Sequence, residues 1–137
     1  MALPNGSGGY QIGDGNLAEA IFRVVPAPAT ATATATLTAA QVLNGVLLGS
    51  PGSSAASYTL PTVSDLEAAL PSATKAGVSF DFSVVNVDGS GSGVITLVTN
   101  TGWTLVGLMT VVATAGTAQA FRARKSGDGA WSLYRVA

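Results

Sequence analysis

From Val78 onward, apolar and polar side chains alternate in the way that is typical of β-strands. Phe80, Phe82 and Val84 continue the apolar face, and small or acidic polar residues occupy the other face. Further short segments of this kind follow, separated by glycine-containing turns at spacings of roughly ten residues. The predicted strands after this one are 94–98, 103–106, 109–113, 119–125 and 131–136. The loop 88–93 and the turn 126–129 are each predicted to close a hairpin.

The first half of the chain predicts further strands and two short helices. Residues 29–37 alternate alanine and threonine strictly, which predicts one strand with all its threonines on one face. Thr38 with Gln41, and Ser64 with Glu67, have the spacing of capping boxes. The two helices should end at Asn44-Gly45 and before Pro71, with strands 46–49 and 56–60 between them.

These elements predict an all-β chain, a β-sandwich, with a jelly roll as one candidate topology. We expect about eight short strands, two short helices and an extended N-terminal arm. The predicted division is residues 1–26 for the arm and residues 27–137 for the sandwich. No repeat of 20–50 residues is visible, so a solenoid is not expected.

The predicted arm begins with glycine-rich sequence and then becomes apolar. Fully extended, it could reach on the order of 80 Å. Its apolar side chains should dock on the domain, on a neighbouring subunit or on another surface. The residues expected to make this contact are Tyr10, Ile12, Leu17, Ile21, Phe22 and Val24. The arm lacks the pattern of a signal peptide, and no apolar run reaches 18 residues, so no membrane partner is expected.

Charged residues make up only 9% of the chain, against roughly 25% in an ordinary soluble domain. One interpretation is a surface kept soluble by threonine and serine hydroxyls. The favoured one is that much of the surface meets other subunits, because the cores of interfaces are depleted in charge. The net charge of −1 disfavours nucleic acid as a partner. This holds although four of the six basic residues lie in the last 16 positions: Arg122, Arg124, Lys125 and Arg135.

No constellation of residues predicts catalysis, a metal site or a cofactor. Without cysteine or histidine there are no disulfides, no thiolate zinc sites and no Ser-His or Cys-His pairs. Asp81 is flanked by phenylalanines, but it has no second acid to complete a glycosidase pair and should face solvent. Loop 88–93 lacks the spaced carboxylates of a calcium loop. Trp103 and Trp131 could stack on sugars, but their positions after turns favour roles as lids on the core. We therefore expect no enzyme.

Five stretches of the chain form a recognisable series: residues 37–46, residues 58–62 with the helix end 69–71, and residues 79–86, 100–107 and 121–135. Taken in this order, they resemble small virion structural proteins of tailed phages, especially cyanophages, that serve as capsid decoration (cement) proteins. Residues 10–17 look similar to the N-termini of those proteins. The matching residues support a fold and do not form a catalytic signature.

The resemblance implies a β-sandwich that works as a homotrimer on the outer surface of a phage head. The trimer would sit near local three-fold axes, bind the major capsid protein and stabilise the expanded head after synthesis in the host cytoplasm. Residues 10–25 would contact the capsid, and the sandwich would carry the trimer contact. An alternative is a glycan- or receptor-binding module of a head fibre or tail, using Trp103, Trp131 or loop 88–93.

Overall fold

The computed structural model describes residues 24–137, which form two β-sheets around one core. The bounds of the strands and helices, in chain order, are β1 Ala29–Ala31, β2 Ala35–Thr36, α1 Ala39–Leu43, β3 Val46–Gly49, β4 Ala56–Thr59, α2 Val63–Ala68, β5 Ser79–Asn86, β6 Ile95–Val98, β7 Trp103–Val106, β8 Thr110–Val111, β9 Thr117–Gly127 and β10 Ala130–Arg135.

Successive strands of the first half alternate between the two sheets. β1, β3 and β5 are parallel neighbours in a six-stranded sheet of order β1-β3-β5-β9-β10-β7. β2, β4 and β6 are parallel neighbours in a four-stranded sheet of order β2-β4-β6-β8. The chain therefore winds from one sheet to the other and back. The long β9–β10 hairpin then completes the larger sheet, with β9 antiparallel to β5.

The predicted all-β sandwich is confirmed. The candidate jelly-roll topology is not observed, because the chain winds from one sheet to the other and most strand pairs are parallel. Five of the eight strand pairings in the described chain are parallel. Jelly rolls are built from antiparallel Greek keys. This winding produces no regular repeat in the sequence, because successive passes around the two sheets differ in length. Ala29 pairs with Leu47 and Leu47 with Val84, so the second turn is about twice as long as the first.

Two predicted strand arrangements are wrong because the chain changes sheet where the sequence suggested continuity. The alanine-threonine run is split into β1 in the larger sheet and β2 in the smaller one. The Tyr58 hydroxyl lies 3.0 and 2.9 Å from the carbonyl oxygens of Ala31 and Thr32, where the chain crosses over. Loop 88–93 likewise connects β5 to β6 in the opposite sheet, so it closes no hairpin. A segment of small alternating side chains is compatible with either sheet, so its sequence does not predict where the chain changes sheet.

The predicted helix α1 is confirmed, together with its capping box between Thr38 and Gln41. Helix α2 begins earlier than predicted. Its N-cap is Thr62, whose hydroxyl accepts a hydrogen bond of 3.1 Å from the amide of Asp65, and Ser64 lies inside the first turn. Thr62 follows Pro61 in extended conformation, which suits an N-cap, and it places Val63 in the core.

The core contains the inward-facing side chains of both sheets, with aromatic residues of the larger sheet at its centre. Trp131 is fully buried, with its ring centroid 6.2 Å from that of Trp103 and 5.7 Å from that of Phe80. Both tryptophans are thus part of the core, as the lid interpretation predicted. The predicted β9–β10 hairpin is also confirmed.

Gly49 allows the two sheets to approach each other at the end of β3. A Cβ atom at this position would collide with Cδ1 of Ile95 and would lie 3.1 Å from the ring of Tyr58. Both of those side chains are fully buried in the opposite sheet. A glycine at this point is therefore required by the packing between the sheets.

Gly49→Ala is expected to destabilise the protein by about 1–3 kcal/mol, because the added methyl group overpacks a filled core. The measurement is urea unfolding followed by tryptophan fluorescence. Gly127→Ala is the matched control, since a Cβ there would meet nothing within 4 Å. Equal stability of the two variants would contradict the account of this contact.

Candidate interaction surfaces

Most of the residues expected to contact a partner precede the described chain. Tyr10, Ile12, Leu17, Ile21 and Phe22 lie outside the described residues, and Val24, the first described residue, is fully exposed. A hydrogen bond attaches the start of the described chain to α1: Asn44 Nδ2 donates to the carbonyl oxygen of Ala27 at 2.7 Å. The N-terminal segment therefore enters the fold beside the end of α1.

The outer face of the four-stranded sheet bears hydroxyl groups and no charge. Strand pairing aligns its outward positions in two rows, and they alternate with core residues such as Tyr58 and Leu97. We call this surface the hydroxyl face; it consists of Thr36, Ser57, Thr59, Thr96, Val98 and Thr110. A face of neutral side chains costs less to desolvate than a charged one.

The outer face of the six-stranded sheet is more apolar. Its outward positions include seven side chains that we call the outer apolar face: Val46, Leu48, Val85, Val106, Ala118, Ala120 and Tyr134. All seven are partly or largely exposed. The charged side chains on the same side of the sheet are Asp81, Arg122 and Arg124.

Asp81 and Arg122 form a two-pronged ion pair on this side of the sheet. Arg122 Nε lies 2.8 Å from Asp81 Oδ1, and Arg122 Nη2 lies 3.0 Å from Oδ2. Hydrogen bonding by the guanidinium lowers the pKa of Asp81, and the carboxylate raises the pKa of Arg122. The two side chains are 55% and 53% exposed, so Asp81 faces solvent as predicted. Because each charge offsets the other, the pair adds little net charge to the face.

A second ion pair joins α2 to the larger sheet, with a buried lysine and a partly exposed glutamate whose side chain is 28% exposed. Lys125 is only 5% exposed; its Nζ atom lies 3.0 Å from Glu67 Oε1 and 3.0 Å from the carbonyl oxygen of Ala73. Trp131 Nε1 donates to the same Glu67 oxygen at 3.1 Å. The hydrogen bonds from Lys125 and then Trp131 lower the pKa of Glu67.

The sequence did not predict this network, because its pattern assigns Glu67 to a capping box with Ser64 and Lys125 to the basic residues near the end of the chain. A usable signal was present. Lys125 follows Phe121 and Ala123 at intervals of two, which places it on the inward face of β9. A lysine on that face needs a buried partner, because an isolated charge there would be too costly.

Asn86 fixes the shape of loop 88–93. Its buried side chain donates to the carbonyl oxygens of Gly93 at 2.9 Å and Val112 at 3.0 Å, and it accepts from the Gly89 amide at 2.6 Å. Asp88 Oδ1 accepts a hydrogen bond of 3.1 Å from the Gly52 amide. The carboxylate of Asp88 therefore accepts a backbone hydrogen bond that connects the loop 88–93 to the turn at Gly52. Within residues 24–137, no three acidic side chains come together as a metal site.

The two tryptophans offer no platform for a sugar. Trp131 is fully buried and Trp103 is 7% exposed, and Trp103 Nε1 donates to the Pro61 carbonyl oxygen at 2.7 Å. Aromatic stacking on a sugar requires an exposed ring face. The alternative of glycan binding thus loses the aromatic residues on which it was based.

The comparisons with known proteins add no relative. No family model matches the chain, and neither the curated proteins nor the solved structures contain a match. In the described part of the chain, neither helix has the length and apolar character needed to cross a membrane.

Glu67→Gln is expected to destabilise the fold at neutral pH, because it removes the negative partner of the buried Lys125. It should also reduce the loss of stability in acid. Since folding lowers the pKa of Glu67 from its ordinary 4.5, its contribution is present above that value and is lost as the pH falls through the folded pKa.

Urea unfolding between neutral pH and strong acid measures both effects. Asp65→Asn, which removes the same charge from an exposed position of α2, is the control. An acid dependence in Glu67→Gln as steep as in the unaltered protein would contradict this role of Glu67.

Proposed function

We propose that this protein is a phage capsid decoration protein that binds the outer surface of the expanded head as a trimer near local three-fold axes. The proposal combines the resemblance of the sequence to such proteins with the surfaces of the fold. In this function the sandwich contacts other copies of itself, and the N-terminal arm contacts the major capsid protein.

The observation that carries the proposal is the hydroxyl face, a sheet surface without a charged side chain. Ordinary soluble domains place many charges on such a surface, for solubility and against association. Interfaces between subunits are instead depleted in charge at their centres. Thr59 and Thr96, on neighbouring central strands, can both donate and accept hydrogen bonds across a subunit contact.

The course of the chain supports a capsid contact by the arm. Val24 to Pro28 lie on the surface, so the segment before them starts from an exposed position. An arm that reaches beyond the domain lets a trimer engage several capsid subunits at once. Many modest contacts closed by symmetry then hold the lattice through avidity.

The alternative function, a glycan- or receptor-binding module, has less support from the structure. Trp103 and Trp131 are in the core, and Asn86 and Gly52 anchor the loop 88–93. What remains for this alternative is the exposed outer rim of that loop, which carries serines and glycines.

Purified protein should co-sediment saturably with expanded empty heads of the phage that encodes it, at about three copies per local three-fold site. Thr96→Lys should weaken this binding about tenfold or more, because charge is then buried at each symmetric contact.

Ser72→Lys is the matched control, since it adds the same charge to an exposed position of the loop between α2 and β5, neither of which belongs to the smaller sheet. It should bind heads as the unaltered protein does. Absence of binding to expanded heads would contradict the proposed function. Equal binding of the two lysine variants would contradict the role of the hydroxyl face in the subunit contact.

A further inference from the structure

A groove with a volume of about 730 Å³ lies where the N-terminal segment meets the sandwich. One wall is the entering chain, residues 24–26, and the other walls come from the end of α1 and from β5 and β9. Leu43 and Phe80 give it an apolar floor, and Asp81 and Arg122 lie at its edge. The groove therefore combines apolar contact with charge.

The groove leads onto the outer apolar face. A second groove of about 350 Å³ lies between residues 25–28 and the β3–β5 pair, where Val46 and Ser83 line it. Val46 is 37% exposed, and Val106 on the far edge strand is 46% exposed. The entering chain thus runs beside a sheet surface on which seven apolar side chains are interspersed with serines, threonines and the charged residues Asp81, Arg122 and Arg124.

We propose that Leu17–Arg23 of the same chain docks on this groove and across the outer apolar face. The described chain begins at Val24 in the wall of the groove, so the seven residues before it start at the site. Extended, seven residues span roughly 23 Å. The distance from β5 across β9 and β10 to β7 is three strand spacings, about 14 Å. The segment is long enough to cover the face.

The chemistry of the segment matches that of the surface. Leu17, Ile21 and Phe22 supply apolar side chains for a face that is apolar and exposed. Such a face gains stability when it is removed from water.

The charges also correspond. Arg124 has no ion-pair partner among residues 24–137 and is exposed beside the Asp81–Arg122 pair. Glu19 supplies a carboxylate for it, and Arg23 directly precedes the groove that Asp81 borders. An uncharged apolar segment would leave Arg124 without a partner.

This inference is independent of the proposed function, although it divides the arm between two tasks. Anchoring of Leu17–Arg23 on its own subunit leaves residues 1–16, with Tyr10 and Ile12, to reach the capsid. Other occupants of the face would be the same segment of a second copy or a capsid subunit, and the following experiment separates them.

Engineered cysteine pairs provide the test, because the natural chain has no cysteine. Phe22→Cys is combined in the full chain with Ala120→Cys on the outer apolar face or, as control, with Thr96→Cys on the hydroxyl face. Under mild oxidation without heads, the first pair should form an intramolecular disulfide about tenfold faster than the second, because a disulfide requires close approach of the two residues. Non-reducing electrophoresis and intact mass distinguish a closed monomer from a covalent dimer.

Covalent dimers from the Ala120 pair would place the segment of a second copy on the face and overturn docking within one chain. Equal rates for the two pairs would overturn docking on this face altogether.

A second measurement uses thiol labelling of Ala120→Cys with Leu17, Ile21 and Phe22 all changed to serine. Labelling should become about fivefold faster if the segment covers the face, with Thr96→Cys unaffected. An unchanged rate at Ala120→Cys would again reject the proposal. Neither measurement involves heads, so a failure of head binding leaves this result unaffected.

Discussion

The fold depends on the contact across the core where Tyr58 of one sheet packs over Gly49 of the other. Because consecutive strands of the first half belong to opposite sheets, neither sheet can form alone. The side chains of Ile95 and Tyr58 together fill the space that a side chain at position 49 would take, and the Tyr58 hydroxyl reaches the carbonyl oxygens where the chain crosses from β1 to β2. This hydroxyl is protonated at neutral pH, and because burial raises its pKa it remains a hydrogen-bond donor in mildly alkaline solution as well. Sheet pairing, crossover and core therefore form together.

Half of the ten charged side chains of residues 24–137 join parts of the fold. Glu67 and Lys125 connect α2 to β9 and β10, Asp81 and Arg122 connect β5 to β9, and Asp88 holds the turn at Gly52. The remaining outer surfaces of the two sheets are covered mainly by hydroxyl and aliphatic groups. The charge-free surface of the described sheets is thus the hydroxyl face of the smaller sheet, and a face of this kind is suited to assembly.

Local patterns predicted the elements well, because alternation and capping act over a few residues. The strand around Phe82, the α1 cap at Thr38 and the buried tryptophans follow from such patterns. The distribution of strands between sheets could not be predicted, since an alternating segment such as 29–37 fits either sheet. Lys125 and Asn86 acquire their roles from partners distant in sequence, Glu67 and Val112, and a single sequence does not reveal those pairings. For the candidate surfaces, the scarcity of charge was visible in the composition, but the register that collects Thr59 and Thr96 on one face was not.

In the function that we propose, the charge-free hydroxyl face of the smaller sheet is buried in the assembly. Cryo-electron microscopy of expanded heads incubated with the protein would show this face. We expect trimeric density over the local three-fold sites, with the hydroxyl face in the contacts between subunits. Bare heads, or bound protein whose hydroxyl face is open to solvent, would contradict it.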